Sequence, residues 1–516
     1  MNLKCDPDNS RFNPEWRLAV VVLLVFPWLN PFAPGPSPSV VPWLLTVICA
    51  ALLLVTFPSI RARDVMLAWL VAALASCLIA LCQYFTLAQY LGPWVNVANP
   101  GDAYANLRQR NQFASLTSVG LLALMWWVST ARPGAWTRYI PLVILLAAGN
   151  AASASRTGLF QLVLIVALIC FWRGSAYREK LYLCAVAGVA YAASAIALPP
   201  LLKWSTGLEV LSVFDRLNSA ADCGSRSVLW SNVLGLVLEK PWSGWGWGEL
   251  DYAHYMHLYT GARFCDILDN AHNLPLHIAV ELGIPAAVFF IGLVCWLIYR
   301  MRPWREQDMT RQTVWGVIAV VGLHSMLEYP LWYGPFQLAL GLCVTLLWRR
   351  QVTAGASLVS ARDKGKMPGW QLIRAITAIT LIAMSMYALW DYHRISQIYL
   401  PPADRSEVWR DNTLAKIRGS RIFANQVRFA ELSTTPLVPT NAQWTFDTAM
   451  SLLHYSPEPR VIEKTIESAT MLGRHAEALA YLARYKAAFP SEAERWTHAN
   501  SAAPKKLEQL SLQPAR

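Results

Sequence analysis

Apolar runs about 20 residues long recur along this chain, and that is the length an α-helix needs to cross the hydrocarbon core of a bilayer. Eleven segments fit, at about 17–32, 40–58, 65–90, 112–130, 139–153, 157–172, 181–201, 275–299, 313–328, 334–348 and 371–390. Only 15% of the 516 residues are charged and 55% are hydrophobic, whereas soluble domains carry about 25% charged residues. The chain therefore reads as an all-α polytopic membrane protein with about 11 transmembrane helices. The first segment has no small-residue cleavage site and runs into Asn30-Pro31-Phe32, so it reads as a span and not as a cleaved signal peptide. Segments 139–153 and 313–328 are short, and are expected to tilt little or to thin the bilayer locally.

The net charge is +12, from 44 Lys and Arg against 32 Asp and Glu. Phosphate-binding surfaces cluster their cations on a soluble face, and the low charge density here argues against a nucleic-acid partner. One set of loops carries 19 positive residues: Lys4, Arg11 and Arg17; Arg61 and Arg63; Arg132 and Arg138; Arg173, Arg178 and Lys180; Arg300, Arg302, Arg305 and Arg311; Arg349, Arg350, Arg362, Lys364 and Lys366. The other short loops hold only Arg108, Arg110 and Arg156. The positive-inside rule then places the N-terminus in the cytoplasm, and eleven spans place the C-terminus outside. One miscounted span would move the tail to the other side.

This reading divides the chain into helices 1–7 (1–200), a large periplasmic loop (202–274), helices 8–11 (275–390) and an α-helical periplasmic C-terminal domain (391–516). Within the tail, Arg460 to Leu472 and Arg474-His475-Ala476-Glu477-Ala478-Leu479-Ala480 form one hairpin of tetratricopeptide type. The stretch 351–369 reads as a flexible inner loop, and the last dozen residues read as disordered.

Ionisable residues at membrane depth or at a bundle mouth are functional candidates. Arg156, in Ser153-Ala154-Ser155-Arg156-Thr157-Gly158, lies between two spans with almost no loop. It is either a snorkelling arginine on lipid phosphate or a fixed fork for a ligand phosphate. The long loop contains Arg226-Ser227-Val228-Leu229-Trp230, then Pro241-Trp242-Ser243-Gly244-Trp245-Gly246-Trp247-Gly248. Its glycines let backbone approach a ligand, and its tryptophans either stack on sugar rings or sit in the headgroup belt. At the start of span eight stands Asp269-Asn270-Ala271-His272-Asn273. His272 is either structural or a base for a hydroxyl nucleophile, with Asp269 or Asp266 to orient it. His324 and Glu328 are spaced i, i+4, as if on one face of span nine, either as site residues or as a packed polar pair.

Other chemistries fit less well. His254, His257, His272 and His277 invite a metal reading, but no Cys or carboxylate completes a site, so neither a metal nor another cofactor is expected. No Walker motif is present. Of ten cysteines, only Cys223 and Cys265 fall in an outer segment, where an oxidising environment favours a disulfide closing the loop over two free thiols.

Taken together, Arg108-Gln109-Arg110-Asn111-Gln112-Phe113-Ala114, Ser155-Arg156-Thr157-Gly158, Arg226-x3-Trp230 with the Gly run, Ala271-His272-Asn273, Glu281-Leu282-Gly283, and His324 with Glu328-Tyr329-Pro330-Leu331 resemble the bacterial O-antigen ligase / protein O-oligosaccharyltransferase superfamily, PglL-type branch. The resemblance covers about 100–335, and the extra tail is similar to that branch's C-terminal region. The ligase pattern continues from His-Asn through nine residues to Gly, then after two more to Gly, Thr or Tyr; here Gly283 matches and Ala286 departs. The resemblance implies an inverting, metal-independent transfer of glycan from undecaprenyl diphosphate to an acceptor hydroxyl on the periplasmic side of the inner membrane. It implies His272 as base, Arg156 and Arg226 on the diphosphate with Arg108 or Arg110 next, and Asn111, Gln112, Trp230, Gly246, Asn273, His324 and Glu328 in substrate binding. The outer tail favours a pilin-like protein acceptor over lipid A core or polymerisation of the glycan. A transporter should show a repeat of broken helices, and none is evident.

Overall fold

The computed structural model describes residues 15–55, 60–132, 134–209, 223–348 and 369–500, together with the backbone of Pro14, 349–356 and Pro368. The described residues are helical, with no strand among them. The helices are α1 Pro14–Leu29, α2 Val40–Val55, α3 Ala62–Tyr84, α4 Arg110–Thr130, α5 Ile140–Ala152, α6 Arg156–Trp172, α7 Tyr177–Thr206, α8 Arg226–Glu239, α9 Leu250–Met256, α10 Leu274–Leu282, α11 Ile284–Met301, α12 Met309–Ser325, α13 Gly334–Ala356 and α14 Pro368–Ser396. In the tail follow α15 Ala424–Thr434, α16 Ala442–Leu453, α17 Pro459–Met471, α18 His475–Ala488 and α19 Pro490–Ala499.

Each of the eleven apolar segments falls on a helix. Among the described residues five stretches are long and apolar enough to cross a bilayer, Ala62–Tyr84, Arg110–Thr130, Tyr177–Thr206, Ile284–Arg305 and Gly369–Tyr399, and three shorter apolar helices accompany them. This is the make-up of a multi-pass membrane protein. Three boundaries differ from the sequence reading. The eighth segment breaks at Gly283, so α10 precedes the long apolar helix. α13 runs on to Ala356 into the expected inner loop, of which residues 357–367 lie outside the described residues. α12 stops at Ser325, so Glu328 stands in the turn beyond it and not on a shared helical face with His324. The final residues expected to be disordered also lie outside the described residues.

The chain forms two compact units, Met1–Ser219 with Ile298–Leu389, and Ala220–Leu297 with Trp390–Arg516. In the first, α4 is the most buried of the long apolar helices. Small residues let it and its neighbours approach: a Cβ on Gly120 would overlap Ala73 of α3, and one on Gly158 of α6 would overlap Asn150 and Ala114. Close contact of this kind replaces the hydrophobic drive that lipid does not supply.

The second unit joins the loop region to the tail. Leu229, Val233 and Leu236 of α8 pack with Phe264, Leu268 and Val280 in one cluster. Tyr255 of α9 belongs instead to the cluster of the tail helices, with Phe446, Ile462, Ile466, Leu482 and Tyr485, and its hydroxyl donates to the Tyr481 carbonyl at 3.4 Å. Cys223 and Cys265 form a disulfide with Cα atoms 5.4 Å apart across 42 residues of sequence. Closing a loop of that length stabilises by about 2–4 kcal/mol. Cys223→Ser should therefore lower the thermal stability of this unit by that order. The same loss on adding reductant to the parent, with none in the variant, is the check.

Candidate functional site

In the first unit the sequence places hydroxyls and amides on otherwise apolar helices, and in a bundle these must satisfy one another. Asn111, in the first turn of α4, donates from Nδ2 to Glu328 Oε1 at 3.1 Å and accepts from the Ser155 hydroxyl at 2.6 Å. Ser155 Oγ in turn accepts from Gly158 N at 3.1 Å and so caps α6. Asn111 thus ties the turn beyond α12 to the start of α6. Below it, Ser115 Oγ lies 2.8 Å from His324 Nδ1 and accepts from Gln161 Nε2 at 2.7 Å. The Ser115 hydroxyl thus joins Gln161 of α6 to His324 of α12. His324 is fully buried. Its Nε2, Gln161 Oε1, Asn150 Oδ1 and Gln112 Oε1 are buried without a hydrogen-bond partner among the described residues.

Three of the candidate arginines share one local geometry. Arg110, Arg156 and Arg226 each open a helix, directly after a residue whose side chain caps it: Gln109, Ser155 and Ser225 accept from Gln112 N, Gly158 N and Val228 N. A helix start already carries positive partial charge, so a cation there opposes the macrodipole while an anion is welcome. Arg156 is exposed. Arg110 pairs with Asp102. Arg108 is tied down: its Nη2 donates to the Pro31 carbonyl and to Asn96 Oδ1, the latter at 2.8 Å.

In the second unit, His272 sits half-buried in a tight turn with φ +50°, a left-handed conformation that costs a side-chain-bearing residue about 1–2 kcal/mol. Three contacts hold that turn. Trp230 Nε1 donates to the Ala271 carbonyl at 3.1 Å, His272 N donates to Asn270 Oδ1 at 2.9 Å, and Asn273 Oδ1 caps α10 by accepting from Leu276 N at 3.1 Å. Trp230 and Asn273, expected in substrate binding, thus position the histidine.

The glycine run does close work, but against protein. Gly244 has φ +66° and its missing Cβ would strike the Glu281 carbonyl; Gly283 has φ +90° and faces the Trp242 carbonyl. Trp245 N and Gly246 N donate to the Val280 and Glu281 carbonyls, each at 2.9 Å, and Gly248 N donates to Glu281 Oε1 at 3.0 Å. The Gly246 N–H is therefore committed to α10 and not presented to a ligand. Ser115 and Gln161 do not stand out in the sequence; a polar residue within an apolar run is the available signal. Three of the four histidines of the metal reading have separate partners: His254 meets Tyr259 Oη and the Phe264 carbonyl, His257 meets Glu239, and His277 meets Glu281.

Family comparisons match three stretches of the chain. Residues 103–128 match protein glycosylation ligase, 141–291 match O-antigen ligase, and 312–503 match virulence factor membrane-bound polymerase, C-terminal. In these stretches the chain is similar to the O-antigen ligase / protein O-oligosaccharyltransferase superfamily. It is similar to a general O-oligosaccharyltransferase of Acinetobacter baylyi, 24% identical over 75% of this chain and 62% of the relative. It is also similar to a ComP-specific O-oligosaccharyltransferase of the same organism, 26% identical over 54% of this chain and 50% of the relative. The chain thus spans between half and two thirds of the length of these relatives. The family's matched stretches include the capped arginine starts of α4, α6 and α8 and the His272 turn.

Two expectations follow. Asn111→Ala leaves Glu328 and Ser155 each short of a buried partner and should cost about 1–3 kcal/mol, read as a lower melting temperature in detergent, with Asn111→Asp not restoring it. Asp251 of α9 is buried, accepts from Tyr252 N at 2.7 Å, and has its pKa raised from 3.8 to about 7 by burial and then by Asp269 and Glu249. An acid whose folded pKa lies above its unfolded one holds its proton more tightly when folded, so stability falls as pH rises from about 4 to about 7. The melting temperature of Asp251→Asn should change less than the parent's across that window.

Proposed function

We propose that this protein is a glycosyltransferase that moves an oligosaccharide en bloc from undecaprenyl diphosphate to Ser or Thr hydroxyls of a pilin-like protein. The observation that carries the chemistry is the repeated capped helix start with arginine at its first residue. A diphosphate is a dianionic leaving group at the bilayer surface, and an arginine at a helix N-terminus offers it a guanidinium fork and backbone N–H groups together. Arg156 and Arg226 take that role, with Arg110, paired to Asp102, next in line and Arg108 bracing the loop before α4. Neutralising the diphosphate makes it leave without a metal ion.

His272 accepts the proton of the attacking hydroxyl. The oxygen attacks the anomeric carbon opposite the diphosphate, the carbon–oxygen bond to phosphate breaks, and the configuration inverts. Trp230, Asn270 and Asn273 hold the histidine in place. The paired network of Asn111, Glu328 and Ser155, with His324 beneath it, fixes the start of α6 and so the Arg156 guanidinium. Support for a protein acceptor comes from the two relatives named as O-oligosaccharyltransferases and from the helical tail, a surface that a lipid acceptor has less use for. The match of 141–291 to O-antigen ligase favours lipid A core as the second reading. In both, the eleven helices span the bacterial inner membrane, with the N-terminus in the cytoplasm and the loop and tail in the periplasm.

Co-expression with a lipid-linked glycan and a candidate pilin in a ligase-deficient host tests the reading. A glycan shift on pilin supports it, and a shift on lipid A alone favours the alternative. His272→Ala should lower transfer by about 10²–10⁴-fold, the contribution of a general base. Parental rates in that variant would remove its role, and parental rates in Arg156→Ala would remove the diphosphate assignment. A periplasmic tail predicts an active alkaline phosphatase fused after Arg516.

A further inference from the structure

A cavity of about 320 Å³ opens in the second unit where the end of α8, the Gly/Trp segment and α9 meet α18 of the tail. That volume is at the small end of the range for small-molecule sites, about 300–1,000 Å³, and is too small for a folded polypeptide segment. Trp245 and Tyr252 line it, and both are held. Trp245 Nε1 donates to the Leu236 carbonyl at 3.0 Å, with Lys240 Nζ 4.0 Å over the ring. Tyr252 stacks on His454 with centroids 3.7 Å apart, and His454 Nδ1 lies 2.7 Å from Glu249.

The polar groups of the cavity are equally fixed and differ in kind. Arg484 donates from Nε to the Met256 carbonyl and from Nη1 to the Ala480 carbonyl, both at 2.9 Å. Two of the five guanidinium N–H groups are thereby used, and the fork is held in one orientation at no further entropic cost to a ligand. Glu239 and His257 pair at 2.5 Å and remain partly exposed, at 40% and 25%. The cavity therefore presents aromatic surface, a held donor fork and a carboxylate acceptor side by side. An acyl chain has no use for three polar groups, and the Glu239 carboxylate offsets the Arg484 cation, so the lining has no excess positive charge to select an anion. A pyranose has what such a site takes: an apolar C–H face for the aromatic rings, and a rim of hydroxyls that donate to the carboxylate and accept from the guanidinium.

We propose that this cavity is a carbohydrate subsite for a neutral sugar, occupied during transfer by a sugar of the glycan other than the one joined to the diphosphate. The binding itself stands on the cavity alone, and its part in transfer rests on the function proposed above.

The test uses the full chain in nanodiscs and a soluble neutral trisaccharide of hexose and N-acetylhexosamine as probe, followed by saturation-transfer NMR and calorimetry. Saturable binding by the parent is expected, weakened at least ten-fold in Tyr252→Ala and in Arg484→Met. Leu258, also on the cavity wall, provides a variant that keeps every one of these hydrogen bonds: Leu258→Trp should fill the space and abolish binding without changing the melting temperature. No saturable binding by the parent, binding unchanged in Leu258→Trp, or full displacement by inorganic phosphate overturns the subsite. In the transfer reaction, Leu258→Trp should raise KM for donors carrying three or more sugars and leave both KM and kcat for a single-sugar donor at parental values. An equal effect on both donors overturns the role in transfer. A parent that binds the trisaccharide but transfers nothing overturns the proposed function and leaves the subsite standing.

Discussion

Hydrocarbon offers no hydrogen bonds, so every polar group that a bundle carries below the bilayer surface must be met by another protein group or by trapped water. The structure around α4 depends on that constraint. Asn111, Ser115 and Thr117 belong to a mostly buried helix, and their partners come from α5, α6, α12, the turn after α12 and the cap at Ser155. Each of those contacts fixes a distance between elements remote in sequence. The close glycine contacts at Gly120 and Gly158 make the distances short enough for the side chains to meet. Packing and polar pairing are here one arrangement, since a larger residue at Gly158 would strike Asn150 itself.

The helical segments were legible because apolar length is a one-dimensional property, readable without knowing any partner. Their ends were less so. Glu328 reads as a continuation of α12 from spacing alone, but the carbonyl of His324 accepts from both Leu327 N and Glu328 N as the helix closes into a turn. The break at Gly283 was hidden for a similar reason: α10 and α11 are both apolar, and the left-handed backbone and the approach of the Trp242 carbonyl that require a glycine there appear only in the fold.

The candidate site was legible as a set of residue types and much less as a set of roles. Arginines outside the charge rule, the isolated His272 and the glycine run all stand out in the chain. What sequence could not separate was contact with a ligand from contact with protein. Trp230 and Gly246 look alike in this respect, yet one donates to the turn that carries His272 and the other to the end of α10. The cysteine pair was the easier case, because two thiols in one polar segment leave a single pairing to consider.

Tyr255 lies in the segment between α7 and α11, but its side chain is buried among residues from Phe429 onward. About a hundred residues, including α12, α13 and most of α14, are made between those two halves of one core. During synthesis the earlier half leaves the ribosome with an apolar face that has nothing to bury against until the last helices arrive. Its disulfide closes within that early half, holding the shorter-range part together through the interval. Completion of this unit is therefore coupled to completion of the chain, and a polypeptide cut short in its final helices would carry one finished unit and one unfinished one.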